Sequence, residues 1–156
     1  MTPTPVHKYV LDTNLFIRAF RDAGANAELQ RFHLLFAPFE YLSSVVAQEL
    51  IAGTATSADR RALERNVLGV YRRRARMFTP SATAWERSGE VLAELTRKDG
   101  LDERRMAKSL GNDILLALSC RDIGAILITD NERDFARIAA TARFRFTKPW
   151  PAPLNG

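Results

Sequence analysis

Two short apolar segments of this sequence end in similar polar triplets, and this pattern restricts the possible folds more than any other feature. The triplet DTN at residues 12–14 follows the first segment, and TDN at residues 129–131 follows the second. Both segments are short and rich in β-forming residues, which predicts strands at residues 8–11 and 125–128. A helix is expected soon after each triplet. The sequence therefore predicts two strands that each lead into a helix.

The rest of the chain continues this alternation of strands and helices. Further strands are predicted at residues 41–46 and 77–79. Helices are predicted at residues 15–20, 27–36, 47–53, 80–100 and 103–122, with another beginning at Asp134. Such alternation indicates an α/β domain, in which helices flank a central, mainly parallel β-sheet with right-handed crossovers. The carboxyl ends of parallel strands lie along one edge, where ligands bind.

Length and composition are those of an ordinary globular chain. With 156 residues, 46% of them hydrophobic, we expect a single domain over residues 1–156. Residues 1–7 are predicted to form a loose tail and residues 148–156 a proline-rich, extended one. The single cysteine, Cys120, is expected in the core; it excludes an internal disulfide and suits the cytoplasm. No apolar run approaches a membrane span, and no signal peptide is predicted.

Four carboxylates are predicted to meet at the carboxyl edge of the sheet. They are Asp12, Glu49, Asp113 and either Asp130 or Asp134. Each pair of such anions repels by about 4 kcal/mol at 4 Å and an effective dielectric constant of ~20, so a cation is needed. Because no cysteine or histidine lies nearby in the sequence, the all-oxygen set favours Mg²⁺ or Mn²⁺ over zinc.

A metal held by carboxylates in a basic protein suits hydrolysis of phosphodiesters. The metal lowers the pKa of a bound water and stabilises negative charge on phosphate. The net charge is +5 and most basic residues are arginines, which bind phosphate well. A genome rich in G and C is the alternative explanation for these arginines.

Each acidic residue also has a structural interpretation. Asp12 could cap the helix that follows it, and Asp113 could cap a helix after Gly111. Glu49, taken alone, fits an exposed helical position. Asp130 and Asp134 compete for the fourth position, and either could cap the last helix.

The polar neighbours of these acids carry weaker signals. Asn112 is expected to brace the backbone beside Asp113. His7 and His33 have no partners at catalytic spacing in the sequence. We therefore assign no chemistry to either histidine.

Four motifs together resemble a known family. They are LDTN at residues 11–14, QEL at 48–50, GNDILLA at 111–117 and ITDNERDF at 128–135. In this order they are similar to the PIN-domain ribonucleases, and within them to the VapC-type toxins of bacterial toxin–antitoxin pairs. The resemblance implies a PIN-like fold and an endoribonuclease that depends on Mg²⁺ or Mn²⁺.

The resemblance also implies roles for particular residues. Asp12, Glu49, Asp113 and Asp134 would be both the catalytic residues and the metal ligands. Asp134 is preferred to Asp130 because the last acid of the family precedes a phenylalanine. Thr13, Asn14 and Thr129 would be supporting polar residues.

Two partners follow from the resemblance alone, a second copy of the chain in a homodimer and an antitoxin that covers the active-site groove. The arginine-rich residues 60–76 depart from many relatives. We favour a solvated helix there. An antitoxin contact and an RNA-binding surface stay open, and the tentative RNA contacts are Arg72, Arg73, Arg74 and Arg76.

Two other functions are compatible with the sequence. An aspartate after a strand can be a phosphoryl-accepting nucleophile, as in phosphatases of the haloacid-dehalogenase type. Those enzymes have DxD at this point, whereas Asn14 occupies the second position here. The other alternative is a non-catalytic module that binds RNA or protein.

Overall fold

A five-stranded parallel sheet forms the centre of the protein. The computed structural model describes residues 7–99 and 107–152. The strands are β1 (Lys8–Leu11), β2 (Glu40–Ser43), β3 (Met77–Phe78), β4 (Ala125–Ile128) and β5 (Phe146–Thr147). Their order in the sheet is β3-β2-β1-β4-β5, and every pair is parallel. The predicted α/β class, with a mainly parallel sheet, is confirmed.

Helices connect the strands. They are α1 (Thr13–Arg21), α2 (Ala23–Phe36), α3 (Ser44–Ala52), α4 (Ser57–Leu63), α5 (Gly69–Arg73), α6 (Ala82–Asp99), α7 (Ala107–Asp122) and α8 (Glu132–Thr141). A 3₁₀ turn (Ala37–Phe39) precedes β2, and a π turn (Glu64–Leu68) joins α4 to α5. No helix within the described residues is long and apolar enough to cross a membrane.

The register of the central strands determines where the polar triplets lie. Leu11 pairs with Ile128 at the ends of β1 and β4. The backbone N–H of Asp12 then donates to the carbonyl of Ile128 at 2.9 Å. Asp12 and Thr129 are therefore neighbours at the carboxyl edge, as expected for consecutive positions of adjacent parallel strands.

The boundaries of several predicted elements differ from those observed, although strands 8–11 and 125–128 are confirmed. Helix α2 begins at Ala23 rather than at residue 27, because the Asp22 carboxylate accepts from the N–H of Ala25 at 2.7 Å and caps the helix. Strand β2 ends at Ser43 for a similar reason, since the Ser43 hydroxyl caps α3. Helix α8 begins at Glu132, two residues before the predicted start.

Some predicted segments lie partly outside the described residues, namely 1–6 of the N-terminal tail, residue 100 of the fourth predicted helix, 103–106 of the fifth predicted helix and 153–156 of the C-terminal tail. Helix α7 ends at Asp122, as predicted, and Gly124 follows it with a φ of 69°, which favours glycine. Residues 148–152 form neither helix nor strand, and Trp150 stacks on Phe32 of α2 at 5.1 Å between ring centroids. Cys120 is fully buried, as predicted.

The arginine-rich segment is helical and carries a π turn. Leu63, Val67 and Tyr71 bury the thin apolar stripe that the sequence contains. In the π turn the N–H of Gly69 donates to the carbonyl of Glu64, five residues earlier. A Cβ atom at Gly69 would lie 2.7 Å from that carbonyl oxygen. The turn therefore depends on glycine at this position.

We expect Gly69→Ala to lower the free energy of unfolding by about 1–3 kcal/mol, because the backbone must shift to admit the methyl group. Gly89 of α6 is the matched control, since its added Cβ meets no atom within 4 Å. Gly89→Ala should instead stabilise the chain by up to about 1 kcal/mol through helix propensity. Urea denaturation of both variants measures the difference, and equal effects would contradict this account of the π turn.

Candidate active site

Asp12 lies at the carboxyl end of β1 and is both a helix cap and a member of the acidic cluster. One carboxylate oxygen accepts from the N–H of Thr13 at 2.8 Å, at the start of α1. The other accepts from the Thr129 hydroxyl, also at 2.8 Å. Burial raises the pKa of Asp12, the two hydrogen bonds lower it, and the charge of Glu49 raises it, with burial the largest effect. The net pKa is above the ordinary value.

Glu49 is held toward Asp12 by a threonine. It lies on α3, and its carboxylate accepts from the hydroxyl of Thr13 at 2.8 Å. Thr13 thus touches both acids, since its N–H binds Asp12 and its hydroxyl binds Glu49. The alternative of an isolated, solvated Glu49 is wrong, because the side chain is only partly exposed and has this contact.

Among the four acids, Asp113 has the most strongly raised pKa. It lies within α7 (Ala107–Asp122), so the interpretation as a helix cap is wrong. Its pKa is raised from 3.8 to about 7, mainly by burial and then by the charges of Asp12, Glu49 and Asp134, in that order. All four predicted acids are therefore near enough to interact. A site that raises a carboxyl pKa this far stabilises either a proton or a cation.

The structure distinguishes Asp134 from Asp130. Asp134 is in the first turn of α8, and its carboxylate accepts from the side-chain amide of Asn131 at 3.0 Å. Asp130 instead forms an ion pair with Arg18 of α1 and does not contribute to the pKa shift of Asp113. The carboxylate of Asp134 thus belongs to the cluster, and that of Asp130 braces α1 against the β4–α8 turn.

Two residues of this arrangement were missed in the sequence. Asn131 donates its side-chain amide to Asp134, and its N–H donates to the hydroxyl of Thr129 at 3.0 Å. Its position three residues before Asp134 is the signal that could have indicated it. Arg18 gives no comparable local signal, because its partner Asp130 is far from it in the sequence.

Other predicted residues have fewer contacts. The side chains of Asn14 and Asn112 form no hydrogen bond within residues 7–99 and 107–152, and their supporting roles stay predictions. Among the arginines tentatively assigned to RNA, Arg72 pairs with Glu64, which also pairs with Arg60. Arg76 lies over the ring of Tyr41, at 5.1 Å from its centroid.

The acidic site is compatible with binding of a cation, although its side chains are not already arranged as a complete set of ligands. In the part of the chain that is described, no three carboxylate, imidazole or thiolate groups are placed so that they could hold one ion as they stand. Mg²⁺ usually takes only one or two protein carboxylates and completes its shell with water and substrate phosphates. Oxygen donors and a raised carboxyl pKa fit such a site.

A cavity of about 460 Å³ opens beside Glu49. It runs between α1 and the α3–α4 segment, where Ile17 and Leu50 give it an apolar wall. Phe20 and Asn66 also line it. The cavity therefore gives a ligand access to Glu49.

Comparison with known proteins identifies the class of this chain. A family model described as PIN domain matches residues 9–141. The chain belongs to the PIN-domain family, which confirms the resemblance seen in the four motifs. Family membership also disfavours the phosphatase alternative.

Particular relatives narrow the comparison. The chain is 31% identical over 134 residues to tRNA(fMet)-specific endonuclease VapC of Shigella flexneri, covering 84% of this chain and 92% of the relative. It also resembles a chain in the structure of DNA-bound VapBC from Salmonella typhimurium, with 26% identity, a TM-score of 0.65, and coverage of 92% of this chain and 98% of that one. A VapBC-1 structure from nontypeable Haemophilus influenzae has 23% identity, a TM-score of 0.62 and coverage of 90% and 96%, and it shows the shared fold alone.

Proposed function

We propose that this chain is a divalent-metal-dependent endoribonuclease and the toxin of a toxin–antitoxin pair. The observation that carries the proposal is the convergence of four carboxylates at the carboxyl edge of the sheet, where burial and then the charges of three of them raise the pKa of the fourth, Asp113. Such mutual repulsion favours binding of a cation. The similarity to the Shigella endonuclease supports the same reaction class.

Mg²⁺ or Mn²⁺ would be held by Asp12 and Asp113, with Glu49 and Asp134 as further or water-mediated ligands. When bound, the ion would lower the pKa of a water molecule and neutralise charge on the phosphate. The protein prepares Asp12 for this role by fixing its orientation through Thr13 and Thr129. Each Asp12 oxygen accepts one hydrogen bond in the structure and has a lone pair left for a ligand.

The remaining polar groups would position the other acids. The Thr13 hydroxyl holds Glu49, and the Asn131 amide holds Asp134. Asp113 accepts no hydrogen bond within the described residues, so its carboxylate is the one most able to exchange a proton for a cation. With pKa near 7 when no cation is bound, it also suits proton transfer.

The proposed partners are an antitoxin, an RNA substrate and a second copy of the chain. Leu34 and Leu35 on α2 are 85% and 54% exposed, which suits contact with another protein. The Salmonella typhimurium structure that this chain resembles is a DNA-bound VapBC, which supports an antitoxin for this chain. A single domain over residues 1–156, located in the cytoplasm, completes the proposal.

The test is cleavage of RNA by the purified chain with Mg²⁺, with Mn²⁺ and with EDTA. We expect cleavage with either ion and none with EDTA. One RNA to be tested is tRNA(fMet), because the Shigella relative is named for it. An Asp12→Asn variant should lose activity by at least about a thousandfold, since metal chemistry supplies several kcal/mol. Asp130→Asn is the matched control and should retain most activity, because Asp130 pairs with Arg18.

Other results of this experiment would contradict the proposal or indicate a different function. Equal cleavage with and without EDTA would contradict metal dependence. Tight binding of RNA without cleavage in either ion would indicate a non-catalytic module. Loss of activity in Asp130→Asn equal to that in Asp12→Asn would contradict the assignment of the fourth acid.

A further inference from the structure

A second cavity lies beyond the groove that begins at Glu49. Its volume is about 520 Å³, within the roughly 300–1,000 Å³ of typical small-ligand pockets. Phe20 and Asn66 line both cavities, so the two are contiguous. None of the four acids lines this second cavity. It is therefore connected to the acidic site but separate from it.

The floor of this cavity is apolar and its rim is basic. Phe16, Leu29 and Val67 line it and are buried. Arg65 and Arg74 also line it, and both are exposed and have no hydrogen bond or ion pair within the described residues. Two guanidinium groups at one mouth, without carboxylate partners, attract an anionic ligand.

The polar groups inside the cavity support the same conclusion. Glu40 is 2% exposed, and its carboxylate is occupied by His33 Nδ1 at 2.7 Å and by the Tyr71 hydroxyl at 2.7 Å. The one acid that lines the cavity is thus engaged by two neighbouring side chains. Since Nδ1 of His33 faces this carboxylate, Nε2 is the ring nitrogen left for a ligand.

We propose that this cavity is a nucleotide subsite, in which a base of single-stranded RNA packs on Phe20 and the apolar floor. Phe20 is 57% exposed and lines both cavities, where an aromatic ring can stack on a base. Arg65 and Arg74 contact the phosphates that flank this base. The proposal rests on the proposed function, because it takes RNA as the substrate.

RNA fits these features better than a peptide does. The combination of an exposed aromatic ring, unpaired guanidinium groups and continuity with the acidic site matches the stacking surface and basic groove of single-strand binding sites. The subsite also gives a role to the π turn, because that turn (Glu64–Leu68) supplies both Arg65 and Asn66.

The test measures binding apart from cleavage. A fluorescein-labelled RNA of about ten nucleotides is titrated in EDTA, and anisotropy gives its affinity. The double change Arg65→Ala/Arg74→Ala should weaken binding about tenfold at low salt and reduce the slope against log salt by about 1.4, or ~0.7 for each lost contact. Phe20→Ala should weaken binding at least about fivefold.

Arg61→Ala is the matched control, because Arg61 is exposed on α4 and lines neither cavity. It should change the affinity less than about twofold. Equal losses in the Arg61 variant and in the double variant, or no loss in the double variant, would overturn the subsite. Equal affinity for an acidic peptide, with the same arginine dependence, would overturn its assignment to RNA.

Failure of the subsite and failure of the proposed function give different results. A chain that cleaves RNA normally after the double change, with unaltered KM, has no such subsite. A chain that binds RNA through Arg65 and Arg74 but cleaves nothing in Mg²⁺ or Mn²⁺ retains the subsite and loses the proposed enzymatic function.

Discussion

Asp113→Asn should abolish RNA cleavage and yet make the metal-free protein more stable near pH 8. We expect the rate to fall at least about a thousandfold, because an amide is a poorer ligand for Mg²⁺ than a carboxylate and carries no charge. The gain in stability arises because the negative charge that binds the metal is unfavourable when no metal is bound. In the metal-free chain, ionised Asp113 is disfavoured by burial and by three neighbouring carboxylates, and asparagine removes that repulsion.

The pH dependence follows from the direction of the pKa shift. Folding raises the pKa of Asp113 from 3.8 to about 7, so between these values the folded chain holds a proton that the unfolded chain has lost. Its contribution to stability is present below pH 3.8, falls as the pH rises, and is lost above about pH 7. Partial exposure limits the total to about 2 kcal/mol.

The measurement is urea denaturation of both proteins in EDTA, near pH 5 and near pH 8. The natural chain should lose stability over this interval relative to Asp113→Asn, and saturating Mg²⁺ should restore it only in the natural chain. Asp122→Asn, at the far end of the same helix, is the control. Parallel pH curves for the natural chain and Asp113→Asn would show that the carboxylate is not perturbed.

Much of the sheet and its acidic edge could be predicted because local patterns encode them. Short apolar segments ending in DTN and TDN determined β1 and β4, and the register Leu11 to Ile128 then brings Asp12 beside Thr129. Strand β5 was missed because it has only two residues, Phe146–Thr147, and forms by pairing with β4. Strand β3 (Met77–Phe78) is equally short, but a helix start at Pro80 follows it in the sequence, whereas no helix signal follows β5.

The sequence also did not reveal the contacts between segments that are far apart along the chain. Thr13 and Glu49 are 36 positions apart, so their hydrogen bond appears only once α1 packs on α3. Asp130 and Asp134 were indistinguishable by spacing, and the ion pair of Asp130 with Arg18 separates them. The π turn depends on one extra residue and on Gly69, which no hydrophobic period predicts.

Glu40→Ala should be the most damaging single change outside the acidic site. Glu40 is 2% exposed, and its carboxylate binds both His33 of α2 and Tyr71 of α5. It thus joins two helices through the start of β2. Burial and the charge of Glu40 raise the pKa of Tyr71, so its hydroxyl keeps the proton that it donates. Alanine would leave both partners without this acceptor and would open a cavity.

We expect Glu40→Ala to lower the free energy of unfolding by about 3–5 kcal/mol, the range found when one member of a buried pair is removed. Urea denaturation measures this, and an unchanged slope would show that the unfolded state is unaltered. Glu40→Gln should be milder, about 1 kcal/mol, because the amide oxygen still accepts from Tyr71.

The combined variant His33→Leu/Glu40→Leu/Tyr71→Phe separates the energy of the interaction from the penalty of breaking it. Replacing every member of a buried polar group with apolar residues is often neutral, since no unpaired donor or acceptor remains. We therefore expect this variant to be more stable than Glu40→Ala. If it is equally unstable, the three residues stabilise the chain by net attraction, and the penalty of an unpaired group is not the reason for the loss in Glu40→Ala.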